Sequence, residues 1–133
     1  MGCQLLEEGH PLVHQGGHHR KNDDAGHNKI QLKDLASVNN QVCHGIPSPE
    51  VILRDGDIVN VDVSTNYQGY FSDSSRMFLI GNVSPEKKKL VEVTKECVSL
   101  GLAQVKPWGF LGDMAQAVHD HAAKNGYSVV REI

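Results

Sequence analysis

Two aspartates, Asp62 and Asp73, lie on the two arms of a predicted β-hairpin. The first arm alternates valines with polar residues, so Asp62 shares a face with its polar neighbours and points away from the valines. A turn centred between Tyr67 and Gln68, where Asn and Gly favour chain reversal, places Asp62 directly opposite Asp73. Carboxylates paired across a ladder, with Cβ atoms about 4.5–5.5 Å apart, repel one another. The sequence therefore predicts that something offsets this repulsion.

Two chemistries can offset the repulsion between these carboxylates. A proton shared by the pair raises the pKa of one carboxyl group. One or two divalent cations accept the paired oxygens as ligands. A bulge that shifts the register would instead leave both side chains in water, but Asp62 lies mid-strand in a Val-rich run, where Asp is disfavoured. The residue types leave the proton and the cations open.

The composition is that of one globular domain. The chain has 133 residues, of which 39% are hydrophobic, and a net charge of -3. This charge gives no electrostatic basis for binding nucleic acid or a membrane surface, and no apolar run approaches the roughly 18 residues of a transmembrane helix. The cysteines are odd in number, lack metal-type spacing and follow no secretory signal pattern. We therefore expect reduced thiols and a cytoplasmic location.

Residues 1–36 differ in character from residues 37–133. The first region contains five of the eight histidines, and no apolar periodicity lasts for more than a few residues. We predict a flexible His-rich leader without a specific function. Metal binding by its histidines is the alternative, which the Gly16-Gly17 break disfavours because it removes the helix that would align His14 and His18.

The second region predicts an α+β fold, because antiparallel strands come first and helices follow. The predicted elements are a strand over 37–44, the hairpin over 57–80, a helix capped by Ser84, a helix from Leu111 to Asn125, and a strand over 127–131. His44 comes at the end of the first strand, where Gly45 and Pro47 force a loop. A histidine in such a loop is more often exposed than functional.

Several spaced stretches are similar to type I methionine aminopeptidase. They are residues 37–47 (SVNNQVCHGIP), residues 55–63 (DGDIVNVDV), residues 69–78 (GYFSDSSRMF), Lys106-Pro107 and residues 125–132 (NGYSVVRE). Their order and spacing extend the resemblance over residues 37–133.

The resemblance implies the pita-bread fold, with residues 37–133 as its first half: an antiparallel sheet with two helices packed on one face. It implies that Asp62 and Asp73 are ligands in a site for two divalent ions of the Co, Mn, Fe, Zn or Ni type. It also implies that His44 is a catalytic and substrate-binding histidine near the scissile bond. The implied reaction is hydrolytic removal of the N-terminal methionine from nascent polypeptides, with the ribosome as a further partner.

The family also supplies a histidine ligand and two glutamate ligands from positions that would follow Ile133. We therefore expect a truncated chain that binds metal weakly or partially and has little or no peptidase activity alone. The alternative is a non-catalytic binding module of the same fold. The presence of both Asp62 and Asp73 disfavours that alternative.

Overall fold

The computed structural model describes residues 5–6, 18–20 and 30–131, with side chains from Asp34 onward. Its elements in chain order are strands β1 (Leu5–Leu6), β2 (His18–Arg20), β3 (Ile30–Val38), β4 (Ile58–Tyr67) and β5 (Tyr70–Leu79), helices α1 (Pro85–Ala103) and α2 (Leu111–Lys124), and strand β6 (Ser128–Val129). Two compact units contain these elements: a sheet unit with β2 to β5, and a helical unit with α1, α2, β1 and β6. Most of the predicted His-rich leader, including His10, His14 and His27, lies outside the described residues.

The sheet unit is an antiparallel sheet with the strand order β2-β3-β4-β5. Strand β3 begins at Ile30, so the boundary predicted between residues 36 and 37 falls inside this strand. Its pairing with β4 places Leu35 beside Asp62 and Val38 beside Val59. Leu35 and Val59 are buried, and they anchor the centre of the sheet.

The strand predicted over 37–44 is wrong beyond Val38, where β3 ends. The chain turns at Asn39, whose backbone is left-handed with a φ of 50°. Asn tolerates this conformation, and its side-chain oxygen accepts a hydrogen bond from the Ile58 N–H at 3.2 Å. His44 therefore lies in the loop that follows β3 and not at the end of a strand.

The hairpin turn is one residue step later than predicted. Tyr67 pairs with Tyr70, so the loop consists of Gln68 and Gly69. Both loop residues have positive φ, at 52° and 85°, which is the requirement of a type I′ turn. The Asn66 side chain closes the turn by accepting a hydrogen bond from the Gly69 N–H at 3.0 Å. A turn centred between Tyr67 and Gln68 would put Gly69 at its last position, whereas the type I′ turn has Gly69 at a central one.

This shift changes the partners of both aspartates. Asp62 pairs with Ser75, and Ser64 pairs with Asp73, so the predicted direct pairing of Asp62 with Asp73 is wrong. The shift moves the register by two residues across the ladder and therefore preserves the face on which each side chain lies. Asp62 and Asp73 are diagonal neighbours on one face of the hairpin.

The helical unit begins as the sequence predicts. Ser84 caps α1, and its hydroxyl accepts a hydrogen bond from the Lys87 N–H at 3.4 Å, with Pro85 at the first helical position. Helix α2 begins at Leu111, and Asn125 forms its C-terminal cap. The start of α1 and the end of α2 agree with the prediction because Ser84 and Asn125 are local signals, whereas Phe110 at the start of α2 makes no side-chain capping hydrogen bond.

The two helices pack through a small apolar core. Its buried members are Val93, Cys97, Ala122 and Tyr127. Cys97 is completely buried and fills this core as a small apolar side chain. The strand predicted over 127–131 is present only as β6, which pairs with β1. Antiparallel strands followed by two helices confirm the α+β class. Within the described part of the chain, neither helix has the length and apolar character needed to cross a membrane.

Candidate metal centre

The hairpin presents a polar face, formed by Asn60, Asp62 and Ser64 of β4 together with Asp73 and Ser75 of β5. These side chains share one face because residues two apart along a strand point the same way, and directly paired residues do so across the ladder. The opposite face of β4 carries the alternating valines. The alternation predicted from the sequence therefore positions the aspartates as expected.

The carboxyl groups of Asp62 and Asp73 interact directly across the diagonal. Burial raises the pKa of Asp62, and both the negative charge of Asp73 and a hydrogen bond between the two side chains raise it further. Diagonal neighbours across a ladder lie about 7–8 Å apart, within reach of side chains directed towards each other. Asp62 is half-buried and Asp73 is exposed. The structure thus brings the two predicted ligands together by a diagonal contact.

Two serine hydroxyl groups donate hydrogen bonds to other polar side chains of this face. The Ser64 Oγ donates a hydrogen bond to Asp73 Oδ1 at 3.1 Å. The Ser75 Oγ donates to the side-chain oxygen of Asn60 at 2.6 Å. No role was predicted for these serines, although their alternation with the aspartates was the available signal.

His44 lies near the aspartate pair, on the loop that follows β3. A positive charge on its imidazole lowers the pKa of Asp62, in opposition to burial and to Asp73, so His44 is within electrostatic range of that carboxyl. His44 is half-buried, and its backbone is left-handed with a φ of 55°. Such a backbone is uncommon for a residue other than glycine and is found where the surroundings impose it.

Gly45 attaches the His44 loop to β3. Its carbonyl accepts a hydrogen bond from the Ala36 N–H at 2.8 Å, and its N–H donates to the Ser37 Oγ at 3.1 Å. The Ser37 side chain is buried. A Cβ at Gly45 would overlap the Ala36 carbonyl oxygen and lie 2.9 Å from the Ser37 Cα. Gly45 was predicted only to form a loop, and the close approach of the β3 backbone explains why no side chain fits there.

The donor set of the polar face suits a hard divalent cation. Two carboxylates converge on one face, and carboxylate oxygens are the ligands that such ions prefer. Among the residues that the structure describes, no group of three or more His, Cys, Asp or Glu side chains could hold a metal ion. The aspartates therefore fit a cation site as two of its ligands. The same interaction between the carboxyl groups raises the pKa of Asp62, so a proton and a cation would compete for these oxygens.

Comparison with known proteins gives the family. The family model described as metallopeptidase family M24 matches residues 13–133. The chain is 48% identical over 97 residues to methionine aminopeptidase B of Synechocystis sp., covering 73% of this chain and 35% of that protein. It is 46% identical over 107 residues to methionine aminopeptidase A of the same organism, covering 80% of this chain and 42% of that protein. The chain thus spans well under half the length of these relatives.

The fold agrees with the sequence match. The crystal structure of methionine aminopeptidase from Rickettsia prowazekii superposes with a TM-score of 0.72 at 42% identity, covering 75% of this chain and 40% of that one. The structure from Thermotoga maritima gives a TM-score of 0.72 at 34% identity, with 74% and 40% covered. The predicted resemblance and the partial pita-bread fold are confirmed. Proteins of this family use divalent metal ions, and the chain belongs to metallopeptidase family M24.

Proposed function

We propose that the protein acts as a metal-dependent aminopeptidase that removes the N-terminal methionine from nascent polypeptides, with Asp62 and Asp73 as metal ligands. The observation that carries this proposal is the contact between two carboxyl groups on one face of the hairpin. Because nascent polypeptides emerge from the ribosome, we expect this activity in the cytoplasm, beside the ribosome. The methionine aminopeptidases that the chain resembles support the substrate class.

A cation explains the aspartate pair better than a structural role does. Like charges that meet on a ladder destabilise a sheet, and burial of Asp62 adds to that cost. A divalent ion between the carboxylates would offset both effects. When bound, such ions supply Lewis acidity towards the carbonyl of a scissile peptide bond.

His44 is proposed as the catalytic and substrate-binding histidine. Its imidazole lies within electrostatic range of Asp62, so a peptide bound at the carboxylates would also be near the ring. Each ring nitrogen can donate or accept a hydrogen bond according to its tautomer. The attachment of Gly45 to β3 limits the movement of this loop and keeps the imidazole beside the metal ligands.

Two aspartates supply only part of a coordination shell. Hard divalent ions take about six or more oxygen ligands, some of them water. We therefore propose that the 133-residue polypeptide alone binds such ions weakly and has little or no turnover of a Met-Gly-type peptide. Turnover of that peptide with added Mn²⁺ or Co²⁺, at the rate of a full-length relative, would contradict this part of the proposal.

The direct test of the ligands is Mn²⁺ titration of the polypeptide, followed by electron paramagnetic resonance of the free ion. Asp62→Asn and Asp73→Asn should each lower the affinity at least about tenfold, because each removes one charged ligand. Asp34→Asn is the matched control, since Asp34 lies in the same sheet on the valine face, paired with Val63. Equal affinity in all four proteins would show that Mn²⁺ does not bind at the aspartate pair.

A chimera tests the enzymatic function. Residues 30–131 of this chain replace the matching segment of the Rickettsia prowazekii enzyme, with which the fold superposes. The chimera should release methionine from a Met-Gly-type peptide, and Asp62→Asn in the chimera should abolish that release. A folded chimera that binds no Mn²⁺ and releases no methionine would instead support the non-catalytic binding module.

A further inference from the structure

We propose that Ser64 is a positioning residue, which holds the Asp73 carboxylate in the orientation that lets it share a cation with Asp62. This inference rests on the proposed function of the aspartate pair. Ser64 lies directly opposite Asp73 in the ladder and two residues after Asp62 along β4. Ser64 can therefore contact the Asp73 side chain while it lies on the same face of β4 as Asp62.

The contact is specific to one oxygen of the carboxylate. The Ser64 Oγ donates to Asp73 Oδ1 at 3.1 Å. A carboxylate has two oxygens and about four lone-pair sites, so one neutral donor leaves most of its acceptor capacity free. A hydroxyl group can therefore restrict the rotation of Asp73 without replacing the cation. A lysine or arginine at this position would instead compete with the ion for the same charge.

Asp73 needs this support more than Asp62 does. Asp62 is half-buried, whereas Asp73 is exposed on β5, where neighbouring atoms limit its rotation less. Side chains that hydrogen-bond to a ligating carboxylate fix its orientation, and their loss typically lowers metal affinity by a factor of about 10–100. Since Ser64 is uncharged and half-buried, we expect an effect at the lower end of that range.

A second serine on the same face provides an internal control. Ser75 lies opposite Asp62 as Ser64 lies opposite Asp73. Its hydroxyl, however, donates to Asn60 and not to a carboxylate. Loss of the Ser75 hydroxyl should therefore leave the aspartates in place. The two serines separate an effect of ligand orientation from a general effect of polarity on this face.

The test is Mn²⁺ affinity in the polypeptide, measured for Ser64→Thr and Ser64→Val. Thr and Val have the same shape and both favour strands, so the two variants differ only in the hydroxyl group. We expect Ser64→Thr to bind Mn²⁺ as the wild type does and Ser64→Val to bind about tenfold more weakly. Ser75→Ala, and Ser72→Ala on the opposite face of β5, should change the affinity less than twofold.

A metal-free measurement separates the positioning role from the metal site. The Hα–Hβ couplings of Asp73 should report one side-chain rotamer in the wild type and in Ser64→Thr, and rotamer averaging in Ser64→Val. Equal Mn²⁺ affinity of the Thr and Val variants, with binding still weakened at least about tenfold by Asp73→Asn, would overturn the role of Ser64 and leave the proposed site intact. An Mn²⁺ affinity that Asp73→Asn does not change would overturn the site and, with it, this inference.

Discussion

The two units of the chain differ in the side chains that they bring together. In the helical unit the buried cluster is apolar and closely packed, and its members are Val93, Cys97, Ala122 and Tyr127. In the sheet unit the polar face of the hairpin brings two carboxyl groups into contact. Packing explains the first arrangement, because each residue removes apolar surface from water. It does not explain the second, because like charges that meet across a ladder repel one another, and carboxyl groups with a perturbed pKa are common at functional sites.

Within the sheet unit, two residues with positive φ differ in a similar way, one serving the fold and the other lying beside the aspartate pair. Gln68 has a positive φ of 52° because the type I′ turn requires one there. His44 has a positive φ of 55° in a loop that is attached to β3 by Gly45. The strain at Gln68 serves the fold. The strain at His44 accompanies a histidine beside the aspartate pair, which is where strained residues tend to occur in functional sites.

The largest effect is expected from Gly45→Ala. The added Cβ would overlap the Ala36 carbonyl and come within 2.9 Å of the Ser37 Cα, so the loop must leave β3 or the strand must shift. We expect a loss of about 3 kcal/mol in the free energy of unfolding, measured with urea. Hydrogen exchange at the Ala36 amide should accelerate, because its acceptor is the Gly45 carbonyl.

Gly112→Ala in the helical unit is the control for that substitution. A Cβ at Gly112 has no atom within 4 Å, and Gly112 lies inside α2, where Ala is the better helix former. This variant should be more stable than the wild type, by up to about 1 kcal/mol. If both Gly→Ala variants changed the stability by the same amount, the attachment of the His44 loop to β3 would have no special role.

A medium effect is expected from Val93→Ala in the helical unit. Val93 is buried in the apolar cluster, and removal of its two methyl groups leaves a cavity, which costs about 2 kcal/mol. Mn²⁺ affinity under native conditions should not change, because no member of the cluster lies on the hairpin. Val105→Ala is the matched control, since Val105 is 67% exposed and should lose little stability. A fall in Mn²⁺ affinity in Val93→Ala would show that the apolar cluster of the helical unit affects metal binding at the hairpin.

Elements with local signals were predictable from the sequence, and those set by tertiary contacts were not. Ser84 and Pro85 fix the start of α1, and Asn125 fixes the end of α2, each by its own residue type. The valine alternation fixes which face of β4 carries Asp62. The start of β3 at Ile30 was missed, since it depends on pairing with Tyr67 of β4, which no short-range pattern reveals.

The residues of the candidate site were predictable from the sequence, but the register between β4 and β5 was not. The two aspartates share a face after a register shift of two residues, so their common face follows from the alternation, whereas their distance depends on the register. Their diagonal contact depends on whether Gln68 accepts a positive φ, which is rare for this residue type. The attachment of Gly45 to Ser37 was unpredictable because it joins a loop to the edge of a strand.

The smallest effect is expected from Asp62→Asn in the metal-free protein. This variant tests directly whether the aspartate pair differs from the apolar cluster by destabilising its unit. Folding raises the pKa of Asp62 above its ordinary value of 3.8, chiefly by burial and next by the charge of Asp73. The folded state therefore binds this proton more tightly than the unfolded state does. The resulting stabilisation is fully present below pH 3.8 and is lost as the pH rises through the raised pKa.

Above the raised pKa, the ionised Asp62 therefore destabilises the metal-free hairpin. Asp62→Asn should be more stable than the wild type there by up to about 1 kcal/mol, the range for a cross-strand pair, and this advantage should shrink as the pH falls. Hydrogen exchange of β4 amides, measured from pH 4 to pH 7, localises the change. Added Mn²⁺ should stabilise the wild type more than Asp62→Asn, because tighter binding to the folded state shifts the unfolding equilibrium further. A metal-free Asp62→Asn variant that is less stable than the wild type throughout this pH range would mean that the aspartate pair stabilises the sheet and needs no cation to offset a repulsion.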